Sequence, residues 1–400
     1  LEDENVEPRG GRRGDCARRA FFGPFFARYK ERTKRKSVAQ RKILLSCHAM
    51  ESIAKILPAY DYHCPKELIA SAPAHPRDSA RLLIFDRATG NTSFDTFRTI
   101  TDYLPKNAVL VLNETRVLPA RIHLTKHTGG RVEALYLSTQ PCTIRALIGG
   151  KIKPGDRLTW QEGHTFIVET RKEKEATLRP SFPIDQLHDL LERYGETPLP
   201  PYIKDSPLTE ARRREEYQTV FAKENGSVAA PTAGLHFTAE LLRKIEAHGC
   251  DIRRVTLHVN LGTFAPLTEE QLRTRTLHEE WYAIDPKTAA FLQEAKGAGR
   301  PIIAVGTTVV RTLEAAFGAG RADVPAEHLC RTTGSTTIFL HPDRPPTFVD
   351  GLITNFHVPK SSLLMLVAAL TGRETLFDLY EQAIEKQFRF FSFGDGMMVM

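Results

Sequence analysis

The chain of 400 residues lacks three things that would have narrowed its class at once: paired cysteines, glycine-rich nucleotide signatures and long apolar runs. Its 6 cysteines, Cys16, Cys47, Cys64, Cys142, Cys250 and Cys330, include no Cys-x-x-Cys pair and form no zinc pattern with histidine. Reduced thiols in a cytoplasmic protein are the expectation, rather than a disulfide scaffold or a zinc module. No G-x-G-x-x-G follows a strand-like run and no G-x-x-x-x-G-K occurs. This counts against dinucleotide, nucleotide-triphosphate and conventional Rossmann methyltransferase folds. The most apolar run, residues 363–370, is far shorter than the roughly 20 residues of a spanning helix, so no membrane anchor is expected. Internal repeats and low-complexity tracts are also missing.

An excess of basic charge is missing from most of the chain as well. The net charge of +7 sits in residues 1–49, which carry 13 Lys/Arg against 6 Asp/Glu and leave 42 of each for the rest. Net charge therefore gives no argument that the folded body binds nucleic acid, although a local basic patch stays open. Residues 1–49 are charged and aperiodic, and their acidic start fits a transit peptide poorly. The expectation is a disordered or extraneous extension of a protein that begins at Met50, with a basic RNA-binding arm as the alternative.

What is present divides into two grammars. Up to Pro119, short apolar runs such as SARLLIF and NAVLVLN alternate with turns. Between residues 120 and 182, RVEALYL, TIRALIG, DRLTWQ, TFIVET and ATLRPSF form five short strands, the pattern of a small barrel or sandwich. A proline-rich stretch, TPLPPYIKDSPLT, follows as a linker or a loop packed on the surface. Beyond it strands and helices alternate. FTAELLRKIEAHG is a helix with Thr238 as N-cap and Gly249 at its C-terminus, leading into the strand IRRVTLHVNLGTF. RPIIAVG and GLITNFHV are strands that feed the helices TVVRTLEAAFG and SSLLMLVAALTG. Such units imply a mostly parallel sheet covered by helices.

In sheets of that kind ligands gather where strand ends meet helix N-termini. His236 precedes the helix capped by Thr238; His258 shares a strand face with Thr256 and Asn260; Asn355 and His357 project from the end of TNFHVP. Each histidine alone is as well explained by a loop-holding hydrogen bond, but three at equivalent strand ends point to a site. None of the three belongs to an H-x-x-x-H or His-carboxylate cluster, and no metal is expected. In AVGTTVVRTLEA, the helix start at Thr307 and Thr308, with Arg311 one turn on, makes an anion cradle or an ordinary capped helix. FRFFSFGDGMM offers Arg389 and three aromatics, Phe390, Phe391 and Phe393, for which core packing is the plainer account.

Taken together, YDYHCPKELIA, VLNETRVLPAR, PPYI, GSVAAPTAGLHFT, VTLHVNLGTF, LHEEWYAI, AVGTTVVRTLEAA, LITNFHVPKSSLLMLVAAL and RFFSFGDGMM resemble the S-adenosylmethionine:tRNA ribosyltransferase-isomerase family. They run in family order from Tyr60 almost to Met400. The resemblance implies an α/β body, residues 50–119 and 185–400, with a mostly parallel or mixed sheet and covering helices. It also implies a small antiparallel β-barrel domain inserted at residues 120–184. The implied reaction takes the ribosyl unit of S-adenosylmethionine, as substrate and with no metal, onto 7-aminomethyl-7-deazaguanine in a tRNA anticodon loop. Adenine and methionine are released. The alternatives are an S-adenosylmethionine-dependent RNA methyltransferase and a non-catalytic RNA-binding protein. A cytoplasmic monomer is the expected setting.

On that reading His236, His258 and His357 line the reaction centre, and Glu280 and Asp395 are alternative bases. Arg311 with Thr307 and Thr308 holds an anion, Asn355 assists at its strand end, and Arg116 and Arg389 orient substrate or RNA phosphate. The sequence departs from the family pattern at Val309, where serine is usual, and at Arg275, where a histidine usually precedes the one matching His278.

Overall fold

A computed structural model describes residues 56–203, 205–259, 267–318 and 332–400. Residues 1–49, and Asn260 on the strand face proposed above, lie outside the described residues. The chain opens with β1 (Arg81–Phe85), β2 (Thr92–Thr96), β3 (Val109–Asn113) and β4 (Thr115–Val117). Six strands follow: β5 (Arg121–Lys126), β6 (Arg131–Thr139), β7 (Ile144–Ile148), β8 (Arg157–Thr159), β9 (Thr165–Lys172) and β10 (Glu175–Pro180). Helices α1 (Leu187–Tyr194) and α2 (Glu210–Glu216) lead to β11 (Glu224–Ser227), α3 (Ala239–Ala247), β12 (Asp251–Leu257), α4 (Glu269–Thr274) and β13 (Thr276–Ala283). Then come α5 (Pro286–Gly297), β14 (Ile302–Val305), α6 (Thr307–Phe317), β15 (Thr333–Ile338), β16 (Gly351–Asn355), α7 (Ser362–Thr371), α8 (Arg373–Glu385) and β17 (Gly396–Val399).

Among the described residues the large sheet has nine strands in the order β15-β13-β12-β3-β14-β16-β17-β1-β2. Its centre, β12-β3-β14-β16, is parallel, while β17 runs antiparallel to β16 and the edge strands β13-β15 and β1-β2 pair antiparallel. The sheet is therefore mixed. All five residues of β3 are buried, which is why VLVLN is apolar on both faces rather than alternating. One face packs Leu110, Leu112 and Ile303 against Phe97 and against Leu241 and Ile245 of α3. The start of α3 is fixed by Thr238, whose hydroxyl accepts a hydrogen bond from Leu241 N at 3.0 Å. Gly249, at φ 103°, turns the chain away after its end.

β5–β10 close into an antiparallel barrel in the order β10-β7-β6-β5-β8-β9. The sixth strand, β5, was not among the five expected. RIHLTK carries only Ile122 and Leu124 as apolar residues, yet both are fully buried while His123 and Thr125 face water. The chain leaves the body at β4 and returns at β11, which pairs in parallel with β4, so the barrel grows from two adjacent points.

Of the two readings of the proline-rich stretch, the packed loop holds: Leu199 and Ile203 are buried against Tyr217, Leu235 and Phe393. One segment differs from expectation. The strand expected to run through residue 264 ends at Leu257, because its partner β3 stops at Asn113 and a side chain takes over. Asn113 donates to Leu257 O at 3.0 Å and accepts from Leu257 N at 3.1 Å. Ser227 then accepts from Val259 N at 2.9 Å, drawing the chain out of the sheet.

Candidate active site

The carboxyl ends of the parallel strands β14 and β16 open into a cleft. Tyr202, Thr232, Thr307, Thr308, Asn355 and His357 are the polar side chains that matter most in its wall, and no lysine or arginine is among its described lining residues.

One wall is the start of α6. β14 passes into the helix through Gly306, whose φ of 94° favours glycine, and no side chain caps the helix. Gly306 O accepts from Val309 N and Val310 N, but the N–H groups of Thr307 and Thr308 have no partner among the described residues. Thr308 is 7% exposed, and its Oγ1 is buried without a hydrogen bond. A buried hydroxyl left in this state costs about 1–3 kcal/mol, so the position favours a ligand that accepts from it.

The opposite wall is braced by Asn355. Its Oδ1 accepts from Thr232 Oγ1 at 2.9 Å, and its Nδ2 donates to Phe391 O at 3.1 Å and towards His236 Nε2 at 3.3 Å. This network assigns the His236 proton to Nδ1. Phe391 itself stands at φ 69°, a left-handed conformation uncommon for a bulky residue. The turn it makes brings Ser392 Oγ within 2.6 Å of the Tyr202 hydroxyl. His236 lies behind Asn355, stacked on Phe97 with ring centroids 4.1 Å apart. Burial, helped by the positive charges of Arg389 and Arg77, lowers its pKa to about 3, so it is neutral at physiological pH.

His357 lines the cleft directly. Its backbone is clamped by two tyrosines: the Tyr62 hydroxyl donates to His357 O at 2.5 Å, and His357 N donates to the Tyr380 hydroxyl at 2.8 Å. Nε2 and Thr354 Oγ1 are 2.8 Å apart. Burial again lowers the pKa to about 3. The aromatics of FRFFSFG complete this support, with Phe390 4.7 Å from Phe356 and 5.9 Å from Tyr380 between ring centroids.

A model of the queuosine biosynthesis protein family matches residues 57–399. The chain belongs to that family. A curated relative, the S-adenosylmethionine:tRNA ribosyltransferase-isomerase of Carboxydothermus hydrogenoformans, is 41% identical over 350 residues, covering 86% of this chain and 99% of its own. The solved S-adenosylmethionine tRNA ribosyltransferase of Thermotoga maritima is 31% identical, with 86% of this chain and 100% of that one covered and a TM-score of 0.48.

In this member of the queuosine biosynthesis family the cleft gathers Thr307, Thr308, Asn355 and His357 from the residues singled out by sequence. His236 stands one hydrogen bond behind it. His258 sits to the side, its neighbour Val259 in the wall. Its Nδ1 is 2.8 Å from Thr115 Oγ1, and its ring stacks on Trp281 at 5.0 Å. Gly226 leaves room for that ring, since a Cβ there would lie 2.7 Å from His258 Nε2. Burial lowers the His258 pKa as well.

Glu280 and Arg311 are buried together and ion-paired, and they line an adjoining pocket that shares Leu363 with the cleft. Asp395 accepts from Arg389 N at 2.8 Å, Arg389 Nη2 at 3.0 Å and Arg81 N at 3.1 Å. That pair fixes the turn carrying Phe391 and Ser392 and does not line the cleft. Arg116 is exposed on β4. Sequence reasoning passed over Tyr202, Thr232, Thr354 and Ser392, although each lies inside a family motif quoted above. Among the described residues no three His, Cys, Asp or Glu side chains form a metal site, and no helix is long and apolar enough to cross a membrane.

Proposed function

We propose that the chain transfers and isomerises the ribosyl moiety of S-adenosylmethionine onto 7-aminomethyl-7-deazaguanine at the wobble position of a tRNA. The products are epoxyqueuosine in the tRNA, adenine and methionine. One observation carries this reading: an uncharged cleft, without lysine or arginine in its described lining, at the strand ends of a queuosine biosynthesis family member. S-adenosylmethionine is a sulfonium cation, and a neutral wall receives it without like-charge repulsion. The depressed pKa of His357 keeps that imidazole from adding a charge of its own.

The sulfonium acidifies the adjacent ribose 5′ carbon, so a single base can form the ylide. The substrate amine then forms its bond to the ribosyl carbon skeleton and releases a proton to solvent. The ylide carbon closes the carbocycle and the ring oxygen becomes the epoxide oxygen, while the bonds to adenine and to the methionine sulfur break with their electron pairs leaving on each of those groups. We assign the proton shuttle to His357, the imidazole in the described lining of the cleft. It takes the 5′ proton and passes it to the departing adenine, so no imidazolium persists. Asn355 and Tyr202 orient the ribosyl unit between the two walls. The deazaguanine comes from a single-stranded loop, where splaying a base outward costs little. We assign the exposed Arg116 to RNA phosphate and the 44%-exposed Trp281 to an unpaired base.

Dual labelling tests this reading. With S-adenosylmethionine labelled separately in the ribose and the methyl group, tRNA should gain the ribose label and none of the methyl label. Transfer of the methyl label alone would make the protein a methyltransferase.

A further inference from the structure

We propose that the N-terminus of α6, together with the Thr308 hydroxyl, is the subsite for the α-carboxylate of the methionyl group. The proposal rests on the reading of the cleft as an S-adenosylmethionine site and deepens it by fixing which end of the ligand goes where. Three observations converge on the same point. α6 runs for 11 residues from Thr307 to Phe317, long enough to present a full partial positive charge at its start. That start is uncapped and open to the cleft, with the N–H groups of Thr307 and Thr308 unpartnered among the described residues. Thr308 is more than nine-tenths buried, lines the cleft, and has an Oγ1 with no hydrogen bond. Two backbone donors and one hydroxyl donor make a cradle for a small anion.

The charge pattern of the ligand selects which anion. At neutral pH S-adenosylmethionine has one negative group, the α-carboxylate, and two positive ones, the ammonium and the sulfonium. The positive end of a helix attracts the first and repels the others. The carboxylate therefore sits on α6, and the sulfonium and ribose extend towards Asn355 and His357. Arg311, one turn further along α6, is spent on Glu280. The carboxylate is held by the helix terminus instead of a guanidinium.

The test is equilibrium binding of S-adenosylmethionine and of decarboxylated S-adenosylmethionine to the full chain, its Thr308→Val variant and its Thr308→Ser variant. Valine keeps the branched shape and removes only the hydroxyl. The unsubstituted protein should prefer the carboxylated ligand by about 10-fold or more. Thr308→Val should weaken S-adenosylmethionine about 10-fold and leave the decarboxylated ligand unchanged, so that the preference collapses. Thr308→Ser should restore it. Equal weakening of both ligands, or no preference in the unsubstituted protein, overturns the carboxylate assignment while leaving the S-adenosylmethionine reading intact. Binding of neither ligand to the unsubstituted protein overturns both.

Discussion

The side-chain amide of Asn355 reaches to 3.3 Å from His236 Nε2 while donating to Phe391 O at 3.1 Å, so one residue at the end of β16 ties the PTAGLHF and RFFSFGD segments together. Its Oδ1 adds Thr232 to the same knot. Thr232, Asn355 and Phe391 all line the cleft. The brace is thus part of the wall it supports.

Replacing Asn355 by Ala should loosen both segments together. It strands the buried His236 Nε2 without its partner and leaves Phe391 O with the Gly394 N–H alone, and an unsatisfied buried group costs about 1–3 kcal/mol. Urea unfolding should show a loss of that order, and turnover should fall because Ser392 and Tyr202 lose their register. Unchanged stability would show that the amide is dispensable.

The two buried histidines make stability depend on pH. In the unfolded chain imidazole titrates near 6.5, whereas burial holds His236 and His357 at about 3 in the folded protein. Above the unfolded value neither state binds the proton, and the stabilisation is complete. As pH falls from about 6.5 towards 3, the unfolded chain takes up protons that the folded one refuses. Stability should drop by about 1.4 kcal/mol per pH unit for each histidine. Denaturation midpoints should therefore fall between about pH 6.5 and 5, and the slope should be shallower in His236→Gln. A profile equally steep in both proteins would place the titration elsewhere.

Glu280 should behave as a structural partner. Replacing it by Ala leaves the Arg311 guanidinium buried without its carboxylate, and breaking a buried pair in this way costs about 3–5 kcal/mol. Thermal unfolding should reveal a large destabilisation. A Glu280→Ala variant with full stability and no turnover would instead return Glu280 to the role of base.

Much of the architecture was legible in the sequence because helix and strand periods differ and caps are local. Thr238, Gly249 and the apolar run of β3 each announce their place through neighbouring residues. β5 was hidden because only Ile122 and Leu124 mark it, and its burial comes from strands that close the barrel at long range. The proline-rich segment stayed open between a linker and a packed loop because proline reports local conformation and says nothing of what Leu199 and Ile203 pack against. The site was legible in type but not in geometry. His357 and Asn355 stood out as polar residues at a strand end, where the cleft lies. Asp395 and Arg389 also stood out, and only their mutual hydrogen bonds show that they hold a turn. Tyr202 reaches the cleft through the packing of Leu199 and Ile203, which no local pattern encodes.

The central claim is most directly tested by the small molecules released from S-adenosylmethionine in the presence of tRNA bearing 7-aminomethyl-7-deazaguanine. Adenine and methionine should appear in equal amounts, each matched by one modified nucleoside. His357→Gln should lower both by about 100-fold or more, the usual scale for a lost acid or base, with tRNA affinity unchanged. Formation of S-adenosylhomocysteine without adenine would contradict the account.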